Sequence, residues 1–435
     1  MQNKYRIGPY FPSLDKPVVY CMVGDEPLMF LPKELLNRKQ LNHLNMMRYG
    51  ILPYAMATVP FSNENDKIVL DAEFINMQTF FEDHLDCYKL SGINFSKNIH
   101  FSPSELMYQE AINISDHDQM ICSVCFSHAL NDTININDQL DVSKKANSKL
   151  HLIANANARN YQVPLSYIVS KEEILQKRNA LFNDYPHETL CKADGLGGGF
   201  NVFEIKNFDD LTNEIDNFNH VDQFVIQKKL DKSIYTEFAI DFIMKDSGCE
   251  FYSARKKLTW NNQWFGNLFE PNIKLNDIQK NNLDNCLNHL RETGYVSKDG
   301  YVCCIDVLQN DSEQYILEIN ARWSGGFPIA KFLNKINYQA DAKVTAYMDY
   351  INLSELKNYI EFVKQNLFTI SDKNIVSNDY KVFPTGFCPV ADNNKVCVWI
   401  CVFGNFDEFT NSVASQFSEA SFTMAKIAQK YHHFY

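Results

Sequence analysis

The sequence predicts a protein of mixed α/β and α+β class in three parts: an N-terminal α/β unit, a larger α+β unit and a small C-terminal α+β unit. Three observations carry this prediction. Strand-like and helix-like runs alternate through residues 1–141, long apolar runs with few helical patterns follow, and the end of the chain reads helix, hairpin, helix. With 435 residues the chain is also too long for one compact core.

The first unit, residues 1–141, rests on the strand runs PVVYCMV and ICSVCF and on helical patterns over 32–49 and 76–90. Residues 131–141 are rich in Asn and Asp and read as a linker, which sets the first boundary. The second unit, 142–348, opens with a helical pattern over 142–161, the strand SYIVS and the helix KEEILQKRNALF. A strand ETLCKAD then enters Gly195-Leu196-Gly197-Gly198-Gly199 and leaves as FNVFEI, a hairpin around glycines. After a short helix, VDQFVIQKKL, YTEFAIDFIM, CEFYSARKKLTW, GYVCCIDVLQ and QYILEINARW read as strands, with one helix over 277–293. The last unit, 349–435, holds a helix over 353–365, the hairpin VFPTGFCPV and KVCVWICVF, and an amphipathic terminal helix.

Composition excludes several function classes. A formal net charge of -12 argues against a sequence-independent grip on a nucleic-acid backbone. No stretch approaches the length of a membrane-spanning helix, so a soluble, cytoplasmic protein is expected. The 12 cysteines are scattered, which favours reduced core thiols over a disulfide framework. Cys122 and Cys125, with His128 nearby, have a metal-like spacing but no second pair, and read as small hydrophobes of a strand.

Chemistry concentrates in the strand pair GYVCCIDVLQ and QYILEINARW. Glu318 and Asn320 are two apart and share a face, and the turn 310–312 can bring Asp306 beside them. Three hard oxygen donors then converge, as magnesium prefers. Arg322 joins the same face and can hold a phosphate or carboxylate bidentately. Glu318 lies between Leu317 and Ile319 in a run apolar enough to be interior, where an unpartnered carboxylate is costly. A flexible turn, Ser324-Gly325-Gly326-Phe327, follows and opens a helix whose free N–H groups could meet an anion. Upstream, Lys192 ends a strand just before the glycine cluster, where backbone can approach phosphate closely. This is neither a Walker loop nor a GxGxxG before a helix.

In that order, two lysines, a glycine hairpin, a hinge, basic residues, Asp and then Glu-x-Asn-x-Arg, residues 142–337 resemble the ATP-grasp superfamily, and the first unit resembles its pre-ATP-grasp domain. The resemblance implies ATP and Mg2+, with Mn2+ as a substitute metal. It makes Lys149 and Lys192 the nucleotide lysines, Gly197, Gly198 and Gly199 part of a closing hairpin, and the segment Gln227, Lys228 to Leu230 the adenine hinge. Glu237 would meet ribose; Asp306, Glu318 and Asn320 would hold the metal; and one of Arg255, Lys256 and Lys257 would face the γ-phosphate. Arg322 would stabilise an acylphosphate. The implied activity is an ADP-forming carboxylate-amine ligase acting on small molecules, with a homodimer a compatible assembly. A phosphotransferase on the same fold and a nucleotide-binding regulatory protein are the other readings.

Overall fold

The structure, a computed structural model, describes residues 5–12, 16–36, 38–176, 189–194, 202–205, 211, 215, 221–260, 263–271, 273–338, 342–372 and 379–430. In the N-terminal unit β1 (Arg6–Gly8), β2 (Val18–Cys21), β3 (Lys67–Asp71), β4 (Ile99–Ser102) and β5 (Met120–Cys122) form a parallel sheet in the order β1-β5-β2-β3-β4. All four residues of β2 are buried, the pattern of a strand covered on both faces, which is why its sequence is continuously apolar.

The next four strands, β6 (Ser166–Ser170), β7 (Thr189–Ala193), β8 (Val202–Ile205) and β9 (Gln223–Lys228), make a small antiparallel sheet ordered β6-β9-β7-β8. It has its own core, with Cys191, Phe224 and Ile226 among its buried residues. The remaining strands are β10 (Thr236–Lys245), β11 (Gly248–Trp260), β12 (Gln263–Phe269), β13 (Tyr301–Gln309), β14 (Gln314–Asn320), β15 (Val344–Asn352), β16 (Tyr380–Phe387) and β17 (Lys395–Gly404). They form one eight-stranded sheet, β14-β13-β10-β11-β12-β15-β17-β16, in which every neighbouring pair is antiparallel.

Several expectations shift. The stretch 131–141 is not a linker: a helix, Asn137–Asn147, starts inside it, with Asp138 in its first turn where a carboxylate suits the helix dipole. The helical pattern over 142–161 is two helices, broken at Ser148, whose hydroxyl accepts from the His151 N–H and starts Lys149–Arg159. The pattern over 32–49 divides into a single 3-10 turn, Lys33–Leu35, and the helix Arg38–Gly50. Two helices, Phe406–Gln416 and Thr423–Lys430, replace the single terminal helix. Of KEEILQKRNALF, Lys171–Gln176 is helical and the rest lies outside the described residues.

The boundary at 348/349 coincides with no break. β15 crosses it, and β16 and β17 extend the central sheet, so the last unit shares the sheet and the main core of the second. β12 and β15 are strands that pattern reading did not find. The helix Phe327–Lys335 is bolted to the N-terminal unit by Lys335, whose ammonium donates to the carbonyls of Pro60, Ser62 and Asn94. All twelve cysteines are free, and Cys125 lies buried beside Asp25. No helix among the described residues is long and apolar enough to cross a membrane.

Candidate active site

One face of the eight-stranded sheet carries the charged residues, and strand register explains their meeting. Asp306 lies directly opposite Glu318, and Cys304 opposite Asn320, so both donors of β14 share a face with the carboxylate of β13. Ala239 lies between Asp306 and Arg255, which brings Glu237, Asp241, Arg255 and Lys257 to that face through the two-residue period. Lys257 is opposite Asn267 on β12. Together with the small sheet and the N-terminal unit, this face encloses a cavity of about 490 Å³.

The cavity brings together Lys149, Lys192, Gln227, Lys228, Leu230, Glu237, Arg255, Lys257, Asp306, Glu318, Asn320 and Arg322. Gly197, Gly198 and Gly199 lie outside the described residues. Both lysine-bearing segments are tied by Asp194, which follows β7: its carboxylate accepts from the backbone N–H of Lys149 at 2.7 Å and from Ser148 Oγ at 2.5 Å. A carboxylate at this helix N-terminus is favourable for the same reason an anion is.

Each acid of the site has a basic partner. Lys149 Nζ is 2.8 Å from Glu318, and Lys257 Nζ bridges Glu237 at 2.8 Å and Asp306 at 2.9 Å. Burial pushes the Glu318 carboxyl up, but Lys149, Arg322 and Lys257 together outweigh it and hold the group at about 2. For Glu237 the same contest, burial against Lys257 and Lys232, also ends at about 2. Burial wins at Asp306, whose carboxyl is raised despite Lys257, with Glu318 adding to the rise. Lys192 is lowered to about 8 by burial, against the pull of Glu318. Arg322 donates to Glu26 at 2.8 Å and to Asn320 Oδ1.

The three basic residues of β11 separate. Lys256 points to the opposite face and pairs with Glu270 at 2.6 Å. Arg255 is buried and bound by both terminal nitrogens to Asp241, with Ser324 Oγ at 2.7 Å, so its charge is already matched inside the protein. Lys257 is the one of the three that stands between Glu237 of β10 and Asp306 of β13. The amide nitrogen of Gln227, a residue of the cavity wall, donates to Ser166 Oγ at 2.8 Å across the β6–β9 pair. Glycine is required in the Ser324–Gly326 turn by close approach. A Cβ on Gly325 would lie 2.7 Å from the Trp264 ring, and one on Gly326 would overlap the Arg255 guanidinium.

Sequence reasoning missed Glu26, Tyr54, Asp241, Trp264 and Asn267, all at or beside this cavity. Asp241 had a signal, since it is two alternations along from Glu237 on one strand; Glu26 and Tyr54 come from a unit without motifs, and Trp264 and Asn267 from a strand not read.

No family model matches the sequence, and no curated protein matches it. Among solved structures, phosphoribosylamine–glycine ligase from Thermotoga maritima superposes with a TM-score of 0.51 at 11% identity, covering 93% of this chain and 98% of that one. The chain has the ATP-grasp fold. A second ATP-grasp structure, N5-carboxyaminoimidazole synthetase from Staphylococcus aureus complexed with ADP, gives 0.49 at 10% identity, over 94% and 99% of the two chains. In ATP-grasp terms the cavity lies between the small antiparallel sheet and the central sheet, closed on its third side by the parallel N-terminal unit.

The donor set fits a hard divalent cation. Asp306 and Glu318 are opposed carboxylates, Asn320 stands beside them with its amide nitrogen donating to Asp306 at 3.3 Å and its Oδ1 accepting from Arg322, and no soft ligand other than the buried Cys304 thiol is beside them among the described residues.

Proposed function

We propose that the chain is an ATP-dependent, ADP-forming ligase that joins a carboxylic acid to an amine. One observation carries this reading: Asp306 and Glu318 oppose each other across β13 and β14, with Lys257 on the same face and Lys149, from the helix Lys149–Arg159, in the same cavity. Acids and bases in this number suit a triphosphate with its metal better than any neutral ligand.

Lys149 and Lys192 anchor the nucleotide phosphates, while the segment from Gln227 to Leu230 lines the cavity where an adenine ring would lie. Asp306 and Glu318, with Asn320 beside them, would hold Mg2+, which when bound would supply positive charge against the nucleotide phosphates. Lys257 is released from Asp306 and turns to the γ-phosphate. A carboxylate oxygen of the acid attacks γ-phosphorus, the bond to the β-phosphate oxygen breaks, and ADP leaves. The amine nitrogen then attacks the acyl carbon and loses a proton; the carbon–oxygen bond to phosphate breaks and inorganic phosphate is released. Arg322 offsets the charge of the acylphosphate and of its tetrahedral successor.

The test is ADP and phosphate release across pools of acids and amines. Release is expected only when both classes are present, and Glu318→Ala is expected to abolish it while melting remains cooperative. A stable phosphorylated product formed from one substrate would refute the ligase reading in favour of a phosphotransferase. Tight ATP binding with no turnover in any pool would refute it in favour of a regulatory role.

A further inference from the structure

Lys192 and Lys149 stand in one cavity but on separate bodies. Lys192 belongs to β7, whose Cys191 and Ala193 pack into the core of the small sheet with Phe224 and Ile226. Lys149 opens the helix Lys149–Arg159, whose Leu152 and Ala156 pack into the main core with Ile316 and Ile319 of β14. Each core holds one lysine in place, so the spacing of the two depends on what joins the bodies. That spacing matters, because two ammonium groups add their contacts to one triphosphate only when both reach it together.

Asp194 makes such a join. It lies two residues beyond Lys192, and alternation along the strand turns both away from the core that Cys191 and Ala193 enter. Its Oδ1 accepts from the backbone N–H of Lys149 at 2.7 Å and of Leu150 at 3.2 Å, and its Oδ2 accepts from Ser148 Oγ at 2.5 Å. Lys149 in turn pairs with Glu318 at 2.8 Å. The consequence reaches the cavity, where the Lys192 ammonium feels both Glu318 and Lys149.

Helix capping alone does not account for this carboxylate. Ser148 already caps the helix, its Oγ accepting from the His151 N–H at 3.0 Å. A residue of the local chain could add a further acceptor as well as one 45 residues away, but only a residue beside β7 also fixes where β7 sits. Asp194 is not among the residues that line the cavity, so any effect on a ligand passes through its neighbours.

We propose that Asp194 is a positioning residue for nucleotide binding: it holds β7 against the start of the helix Lys149–Arg159, so that Lys192 and Lys149 reach the same triphosphate. The inference rests on the reading of these two lysines as the phosphate anchors.

The experiment is calorimetric titration of the full chain with Mg2+ and the β,γ-imido analogue of ATP, with thermal melting of each variant. Asp194→Ala is expected to weaken binding at least about tenfold, the size of one charge-assisted phosphate contact. On a Lys192→Met background the same substitution is expected to cost less than about twofold, because the lysine it positions is gone. Ser148→Asp added to Asp194→Ala returns a carboxylate to the helix start without the link to β7, so melting should recover while affinity does not. An equal loss on both backgrounds, or affinity that recovers together with melting, would reduce Asp194 to a cap and overturn the proposal. Unchanged affinity in Asp194→Ala, where Lys192→Met does weaken binding, would overturn the positioning role alone. If Lys192→Met binds the analogue as tightly as the unaltered chain, the anchor reading itself falls, and the positioning role with it.

Discussion

Raising the pH from about 7 to about 9.5 is expected to weaken nucleotide binding about thirtyfold through Lys192, or by about 2 kcal/mol. Lys192 is buried at the end of β7, in the cavity, and its ammonium is lowered to about 8 by burial, with Glu318 opposing and Lys149 assisting the drop. The terminal phosphate of ATP loses its last proton at about pH 6 to 7 and only gains charge above that, so a weakening on raising the pH comes from the lysine. At about pH 7 the free protein carries the proton that a phosphate needs; at about pH 9.5 only about one molecule in thirty does, and binding must take a proton from solvent. Stability runs the other way. A lysine whose folded pKa is depressed imposes its full cost below about pH 8, where both states are charged, and that cost, about 3 kcal/mol, is relieved as pH rises toward the unfolded value of about 10.4. Calorimetry with ATP in two buffers of different ionisation enthalpy reads both affinity and proton uptake. Lys192→Met should bind ATP weakly at all these pH values and lose the dependence. An affinity that stays flat in the unaltered protein, or an identical pH profile in Lys192→Met, would refute the assignment of this lysine to the phosphates.

Three further outcomes test the scaffold of the site. Asp241→Asn leaves the buried Arg255 guanidinium short of a counter-charge and is expected to cost about 3–5 kcal/mol in urea unfolding, whereas Asp241→Leu with Arg255→Met recovers most of it; a loss under about 1 kcal/mol for the single variant would contradict the pairing. Gly326→Ala places a methyl in the Arg255 guanidinium and should cost about 1–3 kcal/mol and reduce ADP release, so unchanged melting and turnover would rule out the close approach. His84, fully buried against Phe80 and Phe387, is lowered to about 4 by burial, so its contribution is complete above about pH 6.5 and is lost as pH falls toward 4. His84→Phe should therefore flatten the acid limb of the stability curve relative to the unaltered chain. Taking the difference between the two proteins is essential, because Asp25 and Asp349, raised to about 6 by burial, act in the opposite direction.

The central strands were legible because their chemistry is periodic. β10, β11, β13 and β14 are long, apolar and punctuated by charges two apart, and that spacing alone puts Glu318 and Asn320 on one face, with Asp306 within reach across the turn. The four-stranded sheet was readable for the same reason. What escaped was set by tertiary contact. β12, QWFGNLF, and β15, VTAYMDYIN, have no clean alternation, and each becomes a strand because a neighbour on either side supplies its hydrogen bonds. The Asn-rich stretch 131–141 reads as a linker although a helix starts inside it, because Asn and Asp serve helix starts as readily as loops. Glu26 follows a buried Asp25 held by Tyr108 and Ser127, and nothing local in the sequence says that this loop reaches Arg322 in the central sheet. The order of the lysines and the Asp, Glu-x-Asn-x-Arg set picks out residues that line one cavity, but not Glu26, Tyr54, Trp264 and Asn267, which line it too.

The pairing of charges also predicts how metal and nucleotide depend on each other. Lys149 neutralises Glu318, Lys257 neutralises Asp306 and Glu237, and Glu26 neutralises Arg322, so the chain closes its own site electrostatically. A divalent cation arriving alone must pull Asp306 and Glu318 from their lysines, which leaves the buried Lys149 ammonium without its partner and Lys257 with Glu237 alone. ATP arriving alone does the converse, drawing the lysines away and stranding the carboxylates. Only the two together exchange every partner at once, which makes their binding cooperative by the reciprocity of linked equilibria. The expected coupling is about 1–3 kcal/mol, so Mg2+ should bind at least about fivefold more tightly in the presence of ATP than is accounted for by its affinity for ATP in solution. Titrations with MgCl2 alone, with ATP in a chelator and with the mixture measure the three legs of the cycle. In Lys149→Met the carboxylate of Glu318 is already free, so Mg2+ alone should bind more tightly than to the unaltered chain while ATP binds less tightly. If the metal binds both proteins equally well without nucleotide, the lysine–carboxylate pairs are not what separates the two states, and the exchange argument fails.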